Sequence, residues 1–333
     1  MRKKILLTVL LSFIITAFLF SATLEKQGNI FFAKADSLFR AKKYADAATY
    51  YLKAIETYKQ AAQKENAIVD DKINTIQKIN LWKAFYFAKN YPEAIKYLKK
   101  TLALTGDNKL SRRDYLKNEK LIVTLYKKYL KDIDGAIAFL QEMENKKPSL
   151  WQEKKIGSLY YKKKDYKNAL NWYLKAKQRK QDSKIIKNIA NCYIKLKDYN
   201  KAVETYQEYL KTNPSKSALK LTYKNMAALY YSINKMNKAA EYWEKVLTFG
   251  FDKEITRNLM ILYYNQKKFD KALKKADKLL AKYPNSADAL YYKAKIYYDR
   301  NNKKIARKYF AKLMKNPTYG KTAKEFIKSI DSE

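Results

Sequence analysis

The sequence predicts an all-α fold, an α-solenoid of about eight helical hairpins with a C-terminal capping helix. Three observations support this prediction. Apolar residues return every three or four positions along most of the chain, which is the spacing of one face of a helix. Small residues recur with a period of about 34 residues. Glycine and proline number only 6 and 5 among 333 residues, which disfavours an all-β fold with many tight turns.

The segment 150–181 shows the repeating unit most clearly. Two helical patterns flank a polar break at residues 163–165. The residues that carry these patterns are Ile156, Gly157, Tyr160, Tyr166, Ala169, Tyr173 and Ala176. Two short helices joined by a tight polar turn form a hairpin. The small residues Gly157 and Ala169 stand where the two helices can cross closely, and a larger side chain there would overpack the contact.

The same unit repeats along the chain. Its second-helix alanines are 33, 33, 37, 33 and 34 residues apart, at Ala136, Ala169, Ala202, Ala239, Ala272 and Ala306. The unit resembles the tetratricopeptide repeat (TPR), whose pattern is a large apolar residue, then L-G-x-x-Y, then A-x-x-x-F and a late proline. Segment 150–181 departs from that pattern at Glu153 and at Gln181. The resemblance covers nearly all of the chain after residue 22, and it implies a concave surface lined by the first helix of each hairpin.

The regularity of the pattern divides the chain after residue 22 into three parts. Residues 23–149 hold irregular repeats, residues 150–320 hold regular ones, and residues 321–333 form the capping helix. In the irregular part, Trp82 takes the place of a small residue, and the repeat at about 117–149 has one extra residue in its turn. The polar connector at 62–74 is predicted to extend the second helix of the first repeat.

Residues 1–22 are predicted to be an export signal or an N-terminal membrane anchor. Three basic residues at positions 2–4 precede an apolar run at positions 5–20, as in a secretory signal. The run is slightly long for a cleaved signal, and the small-residue site after it is poor. Cleavage is therefore only slightly favoured over anchoring through residues 5–24. Either outcome places the rest of the chain in the periplasm or another extracytoplasmic space.

The composition excludes several kinds of chemistry. The chain has no histidine, which removes histidine-based catalytic triads, metal sites and pH switches. Its one cysteine, Cys192, lies inside a predicted helix, where a small packing residue is the expected role. We expect a non-enzymatic protein without catalytic residues, metal or cofactor. The formal net charge of +39 favours anionic partners and resists self-association.

A set of first-helix residues, one helix face away from the core, is predicted to face the groove and bind a partner. The set comprises a basic row (Lys154, Lys187, Lys224, Arg257), a tyrosine row (Tyr161, Tyr231, Tyr264, Tyr298) and amides between them (Asn191, Asn225, Asn258). Cations pair with carboxylates, amides bind peptide backbone, and rings cover apolar side chains. The expected ligand is an extended acidic protein segment or a chain terminus. Two bland alternatives remain open, because lysine is abundant enough to form a row by chance and a tyrosine ring could lie at a helix seam.

Part of this set resembles the carboxylate clamp of chaperone-binding TPR domains. Lys187, Asn191 and Asn225 match its first three positions, whereas Glu254 and Asn258 stand where two basic residues are required. The expected function is a protein–protein interaction scaffold of the cell envelope. The alternative is electrostatic binding to an anionic envelope polymer or lipid surface. The predicted export signal argues against nucleic acid as a partner.

Overall fold

The computed structural model of the protein describes residues 22–63, 68–105 and 109–332. These residues form helices joined by turns, without a strand among them, so the all-α prediction is confirmed. The predicted export signal falls almost entirely on residues 1–21, which lie outside the described residues. Among the helices that the structure describes, none is both long enough and apolar enough to span a membrane. The chain divides into two compact units, Met1–Pro148 and Ser149–Glu333.

The first unit contains three helical hairpins. Their helices are α1 (residues 22–40), α2 (Tyr44–Ala62), α3 (Ile68–Thr75), α4 (Trp82–Phe87), α5 (Tyr91–Leu102), α6 (Arg112–Thr124) and α7 (Ile133–Lys146). A π-helical turn at Ile76–Leu81 joins α3 to α4, and another at Leu125–Leu130 follows α6. The hairpins are therefore α1 with α2, α3–α4 with α5, and α6 with α7.

The second unit contains five hairpins and a terminal helix. Its helices are α8 (Leu150–Lys162), α9 (Tyr166–Arg179), α10 (Ser183–Lys195), α11 (Tyr199–Leu210), α12 (Lys216–Ser232), α13 (Met236–Leu247), α14 (Lys253–Asn265), α15 (Phe269–Lys282), α16 (Ala287–Asp299), α17 (Lys303–Ala311) and α18 (Gly320–Asp331). Each first helix after α8 packs on the second helix of the preceding hairpin. The described residues thus hold eight hairpins and the capping helix α18, as predicted.

The predicted small-residue positions lie at the centre of the helix crossings. All six second-helix alanines of the series are fully buried. Gly157 serves the same purpose on a first helix, because a Cβ atom added there would lie 3.0 Å from the Tyr173 ring. Cys192 is fully buried in the core and packs as a small apolar residue, and this burial raises the pKa of its thiol to about 12.

The irregularity of the first unit is concentrated in the two π turns. A π turn accommodates one residue more than an α turn, so the extra residue predicted in the third repeat is placed at Leu125–Leu130. The π turn at Ile76–Leu81 directly precedes Trp82, which stands at a predicted small-residue position. The predicted extension of α2 through the connector 62–74 is wrong. Helix α2 ends at Ala62, and residues 68–75 already belong to the first helix of the next hairpin.

Each of the eight hairpins turns through a non-glycine residue in the left-handed region. The φ angles lie between 55° and 66°, at Lys42, Lys89, Lys131, Lys164, Lys197, Asn234, Lys267 and Asn301. Left-handed backbone costs an L-residue roughly 1–2 kcal/mol, whereas glycine adopts it freely. Six of these turns therefore carry a lysine in a conformation that glycine would adopt at lower cost.

We expect Lys164→Gly to raise the free energy of unfolding by about 0.5–1 kcal/mol, because relief of the left-handed strain exceeds the added entropy of the unfolded chain. Chemical denaturation of the unaltered and variant proteins measures the difference. The control is Lys167→Gly, on the exposed side of α9, which should lower stability by about 1 kcal/mol. A stability loss with Lys164→Gly would contradict the left-handed turn.

Candidate functional site

Three members of the predicted basic row form ion pairs with acidic residues of the next repeat. Lys154 lies 3.7 Å from Asp182, and Lys224 lies 3.1 Å from Asp252. The Arg257 guanidinium pairs with Asp288. Each of these three cations of the predicted basic row therefore has an intramolecular counter-ion.

The position of the carboxylates explains the pairs. Asp182 and Asp252 are the N-cap residues of α10 and α14, and Asp288 lies in the first turn of α16. A carboxylate is stabilised there by free backbone N–H groups. Burial alone would raise the pKa of Asp182 and of Asp252. The capping N–H groups and the facing lysine outweigh that effect and hold both pKa values below the ordinary range.

Lys187 is the exception in the basic row. It has no ion-pair partner among residues 22–63, 68–105 and 109–332, and its side chain is half-buried. The position 28 residues further along the chain holds the acid in two other repeats, but here it holds Ser215, which caps α12 with its hydroxyl. A serine N-cap leaves the ammonium group of Lys187 without a counter-ion.

The tyrosine row is not uniform. Tyr161 meets Tyr166 edge to face, Tyr264 donates a hydrogen bond to Asp299 at 2.7 Å, and Tyr298 packs against Phe326 of the capping helix. Burial, followed by the contact with Asp299, raises the pKa of Tyr264. Tyr231 is 50% exposed, so it is the member of this row most available to a partner.

Two of the predicted amides serve the repeat contact. Tyr206 is fully buried, and its hydroxyl donates to Asn191 Oδ1 at 3.2 Å and accepts from Asn225 Nδ2 at 3.0 Å. This bridge joins α10, α11 and α12. The side chain of the third amide, Asn258, makes no hydrogen bond within the described part of the chain, and it lines a pocket.

That pocket, named here the α12–α14 pocket, lies between one hairpin and the first helix of the next. Its volume is about 540 Å³, and it is lined by Ala228, Tyr231, Ser232, Met236, Trp243, Asn258, Ile261, Leu262, Asn265 and Gln266. The Tyr231 and Trp243 rings lie 5.7 Å apart and form part of an apolar wall. Amides of α14 and of the turn after it lie beside this wall. The structure thus brings together two of the predicted site residues, Tyr231 and Asn258, in one concave site.

Gln266 gives the pocket an unusual polar feature. Its Nε2 donates to Asn237 Oδ1 at 3.3 Å, and Lys268 Nζ donates to the same oxygen at 3.0 Å. The Oε1 atom of Gln266 is buried and has no hydrogen-bond partner within the described residues. A buried acceptor without a donor costs about 1–3 kcal/mol, and this oxygen is shielded from solvent.

Helical spacing alone did not indicate that Met236, Trp243, Ile261 or Gln266 are site residues. A signal was nevertheless present in the sequence. The stretches 225–234 and 258–266 contain no charged residue, although lysine is abundant elsewhere in the chain. Because the two stretches occupy equivalent places in successive repeats, they combine into one neutral surface.

A smaller cavity of about 240 Å³ lies in the first unit, beside Asn29, Tyr58 and Lys72. Its polar groups bind one another. Tyr58 donates to Asn29 at 2.7 Å, and Lys72 pairs with Glu25. The α12–α14 pocket is the better candidate because it offers polar atoms that a ligand can satisfy.

Comparisons with known proteins agree with the hairpin architecture. Tetratricopeptide repeat family models match residues 155–183, 183–216 and 258–319. No curated protein matches this chain.

Solved structures are similar to the chain at low sequence identity. One is YrrB, described as a TPR protein with an unusual peptide-binding site, with 16% identity, a TM-score of 0.45, and coverage of 56% of this chain and 97% of that one. Another is a tetratricopeptide repeat protein from Parabacteroides merdae, with 16% identity, a TM-score of 0.41, and coverage of 78% and 99%. The structure of Naa15/Naa10 bound to HypK-THB has 16% identity and a TM-score of 0.54, and the match covers 91% of this chain but 44% of that one.

These likenesses concern the fold. The family models, the hairpins and the buried alanines at their crossings identify the architecture of the repeats. Residues 155–216 and 258–319 are tetratricopeptide repeats.

Proposed function

We propose that the protein is a non-enzymatic scaffold that binds an extended, acidic segment of a partner protein along the first helices of its second unit. The observation that carries this proposal is the α12–α14 pocket, an apolar site bordered by Asn258 and Asn265, whose side chains make no hydrogen bond within the described residues. TPR repeats are generally protein-binding modules, and an apolar pocket with a few polar groups is the usual form of a recognition site.

The acidic character of the partner rests on Lys187 and on the overall charge. Lys187 lies on α10, the first helix of the repeat before the pocket, and no carboxylate in the described residues neutralises it. Packed helices lie about 8–10 Å apart, and an extended chain advances about 3.3 Å per residue. A partner with an apolar side chain in the pocket would therefore reach Lys187 with a carboxylate three to six residues away.

The place of action that we propose is the cell envelope. Support comes from the three basic residues at positions 2–4 and the apolar run that follows them, which together are typical of an export signal. Protease added to intact spheroplasts should digest the protein. Protection from protease would contradict export, but it would not bear on the proposed binding of a partner segment.

A rival function is diffuse attraction to an anionic polymer or lipid surface, which the net charge of +39 favours. In this rival function the position of a lysine on the surface does not affect binding, because any two lysines contribute equally to a diffuse field. Charge reversals at matched positions therefore distinguish the two functions.

We expect Lys187→Glu to weaken binding of an acidic peptide by about ten- to a hundredfold, because a charge-assisted contact contributes roughly 1.5–3 kcal/mol. The probe is a fluorescein-labelled nine-residue peptide selected by the unaltered protein from a random phage-displayed library. Fluorescence anisotropy measures its dissociation constant. A second variant, Ser215→Asp, keeps an N-cap and supplies the missing counter-ion, and it should weaken binding several-fold without loss of thermal stability.

The matched control is Lys167→Glu, an equal charge reversal on the exposed side of the second helix α9. It should leave peptide affinity nearly unchanged. Equal losses in Lys187→Glu and Lys167→Glu would show that the net field decides binding, and the rival function would stand. Lys224 is unsuitable for this experiment because its reversal would also break the pair with Asp252.

A further inference from the structure

We infer that the edge of the first unit at which its hairpins turn is a second binding surface, and that it binds the interface of an anionic lipid bilayer. The inference goes beyond the proposed function, because it uses neither the α12–α14 pocket nor Lys187. The surface is named here the aromatic edge. It consists of six rings beside the first three hairpin turns, namely Phe39, Tyr44, Tyr86, Phe87, Tyr91 and Tyr129.

Two of these rings occupy a position that the other hairpins fill with a polar residue. The residue two positions before the left-handed turn residue is exposed in all eight hairpins. Six of them have a polar or charged side chain there: Arg40, Lys162, Lys195, Ser232, Asn265 and Asp299. The second and third hairpins have Phe87 and Tyr129, which are 48% and 37% exposed. Exposed apolar side chains that cluster in this way usually belong to an interaction site.

The rings of the aromatic edge are in continuous contact. Phe87 stacks on Tyr44 with ring centroids 5.0 Å apart, and Tyr129 stacks on Tyr91 at 4.4 Å. Tyr86 connects the two stacks, because its ring lies 5.3 Å from Phe87 and 6.2 Å from Tyr91. Rings this close leave no space for a side chain between them. A protein segment is usually recognised through separate side-chain pockets, whereas a continuous aromatic band suits the interface of a membrane.

The charge of the aromatic edge favours an anionic membrane. The segments 39–46, 86–93 and 126–134 hold seven basic and four acidic residues. Lys43 and Lys89 are exposed and take part in no ion pair within the described residues. Two of the acids are already engaged, because Glu93 pairs with Lys96 and Asp132 caps α7. A lysine beside an inserted ring can reach lipid phosphates while its methylene chain stays on the apolar surface.

The aromatic edge is distant from the predicted N-terminal anchor. Helix α1 runs from residue 22 to residue 40, a length of about 28 Å at 1.5 Å per residue. The edge therefore lies at the far end of α1 from residue 22. Insertion of residues 5–20 into a membrane does not by itself bring the edge into that membrane, so a probe at the edge reports on the edge alone.

The test places an environment-sensitive nitrobenzoxadiazole fluorophore at the edge of the full-length protein. It is attached through Ala41→Cys, an exposed turn position, because the native Cys192 is fully buried and does not compete for the label. Vesicles of mixed phosphatidylglycerol and phosphatidylcholine should increase the emission and shift it to shorter wavelengths. Phosphatidylcholine vesicles should require at least about tenfold more lipid for the half-maximal change. The ring variant, Phe87→Ser with Tyr129→Ser, should raise the half-maximal concentration of anionic lipid about tenfold.

A pair of lysine variants supplies the matched control. Lys43→Gln should raise the half-maximal lipid concentration about fivefold, whereas Lys59→Gln, at an exposed lysine near the other end of α2, should leave it nearly unchanged. Lys43→Gln keeps every ring, so it tests the inference if the ring variant does not fold. The inference would be overturned by an unchanged emission with anionic vesicles, by an unchanged affinity of the folded ring variant, or by equal effects of the two lysine variants. A response to polyglutamate but not to vesicles would also overturn it and would assign the edge to an acidic protein segment.

Discussion

Replacement of Arg179 by methionine is expected to lower the free energy of unfolding by about 3 kcal/mol. The reason is Glu153, whose side chain is fully buried on α8. Arg179, at the end of α9, donates to one carboxylate oxygen of Glu153 at 2.5 Å, and the other oxygen has no hydrogen bond. Removal of the guanidinium leaves a buried carboxylate without its cation. Breaking a buried ion pair usually lowers the free energy of unfolding by about 3–5 kcal/mol. Because Arg179 is half-exposed, we expect a loss at the lower end of that range.

Urea denaturation of the unaltered and Arg179→Met proteins measures this loss. The control is Arg307→Met, the same substitution at an arginine whose partner, Asp331, is exposed. Solvent screens that pair, so its removal should change stability far less. Similar losses in the two variants would show that burial of Glu153 does not determine the effect. The double variant Arg179→Met, Glu153→Met should recover much of the lost stability, since it removes the buried carboxylate together with its cation.

Leucine in place of Ala169 or Ala202 is expected to lower the free energy of unfolding by about 1–3 kcal/mol at each site. Both alanines are fully buried in the core of the second unit. At the first crossing, α8 and α9 approach so closely that even a Cβ atom on Gly157 would lie 3.0 Å from the Tyr173 ring. Three additional carbon atoms at Ala169 therefore require the helices to separate.

Thermal melting followed by circular dichroism measures this effect. Asn171→Leu is the control, because Asn171 lies on the same helix and faces solvent. A leucine there adds the same apolar side chain without a crossing to obstruct. Unchanged melting temperatures for both Ala169→Leu and Ala202→Leu would contradict the close crossing, and equal losses in all three variants would indicate a general effect of leucine.

The hairpins and their close crossings could be predicted from the sequence because both depend on short-range patterns. Spacing of three and four residues defines the face of each helix, and the alanine period defines the repeat. The same reasoning failed for residues 62–74, where polar composition suggested a longer α2 but the chain begins a new first helix. It also left Glu153 unexplained, because its partner Arg179 lies 26 residues away on another helix.

The candidate site was only partly predictable. Helical spacing marked Lys154, Lys224 and Arg257 as one row, but the acids that neutralise them belong to the next repeat. Tyr231 and Asn258 were predicted as groove residues, whereas Gln266 was not, because its significance is an unmet hydrogen bond. The register of the helices and the composition of each face follow from local periodicity, which any segment carries within itself. Availability of a side chain depends on neighbours 28–35 residues distant, and the packing of one repeat on the next determines those neighbours.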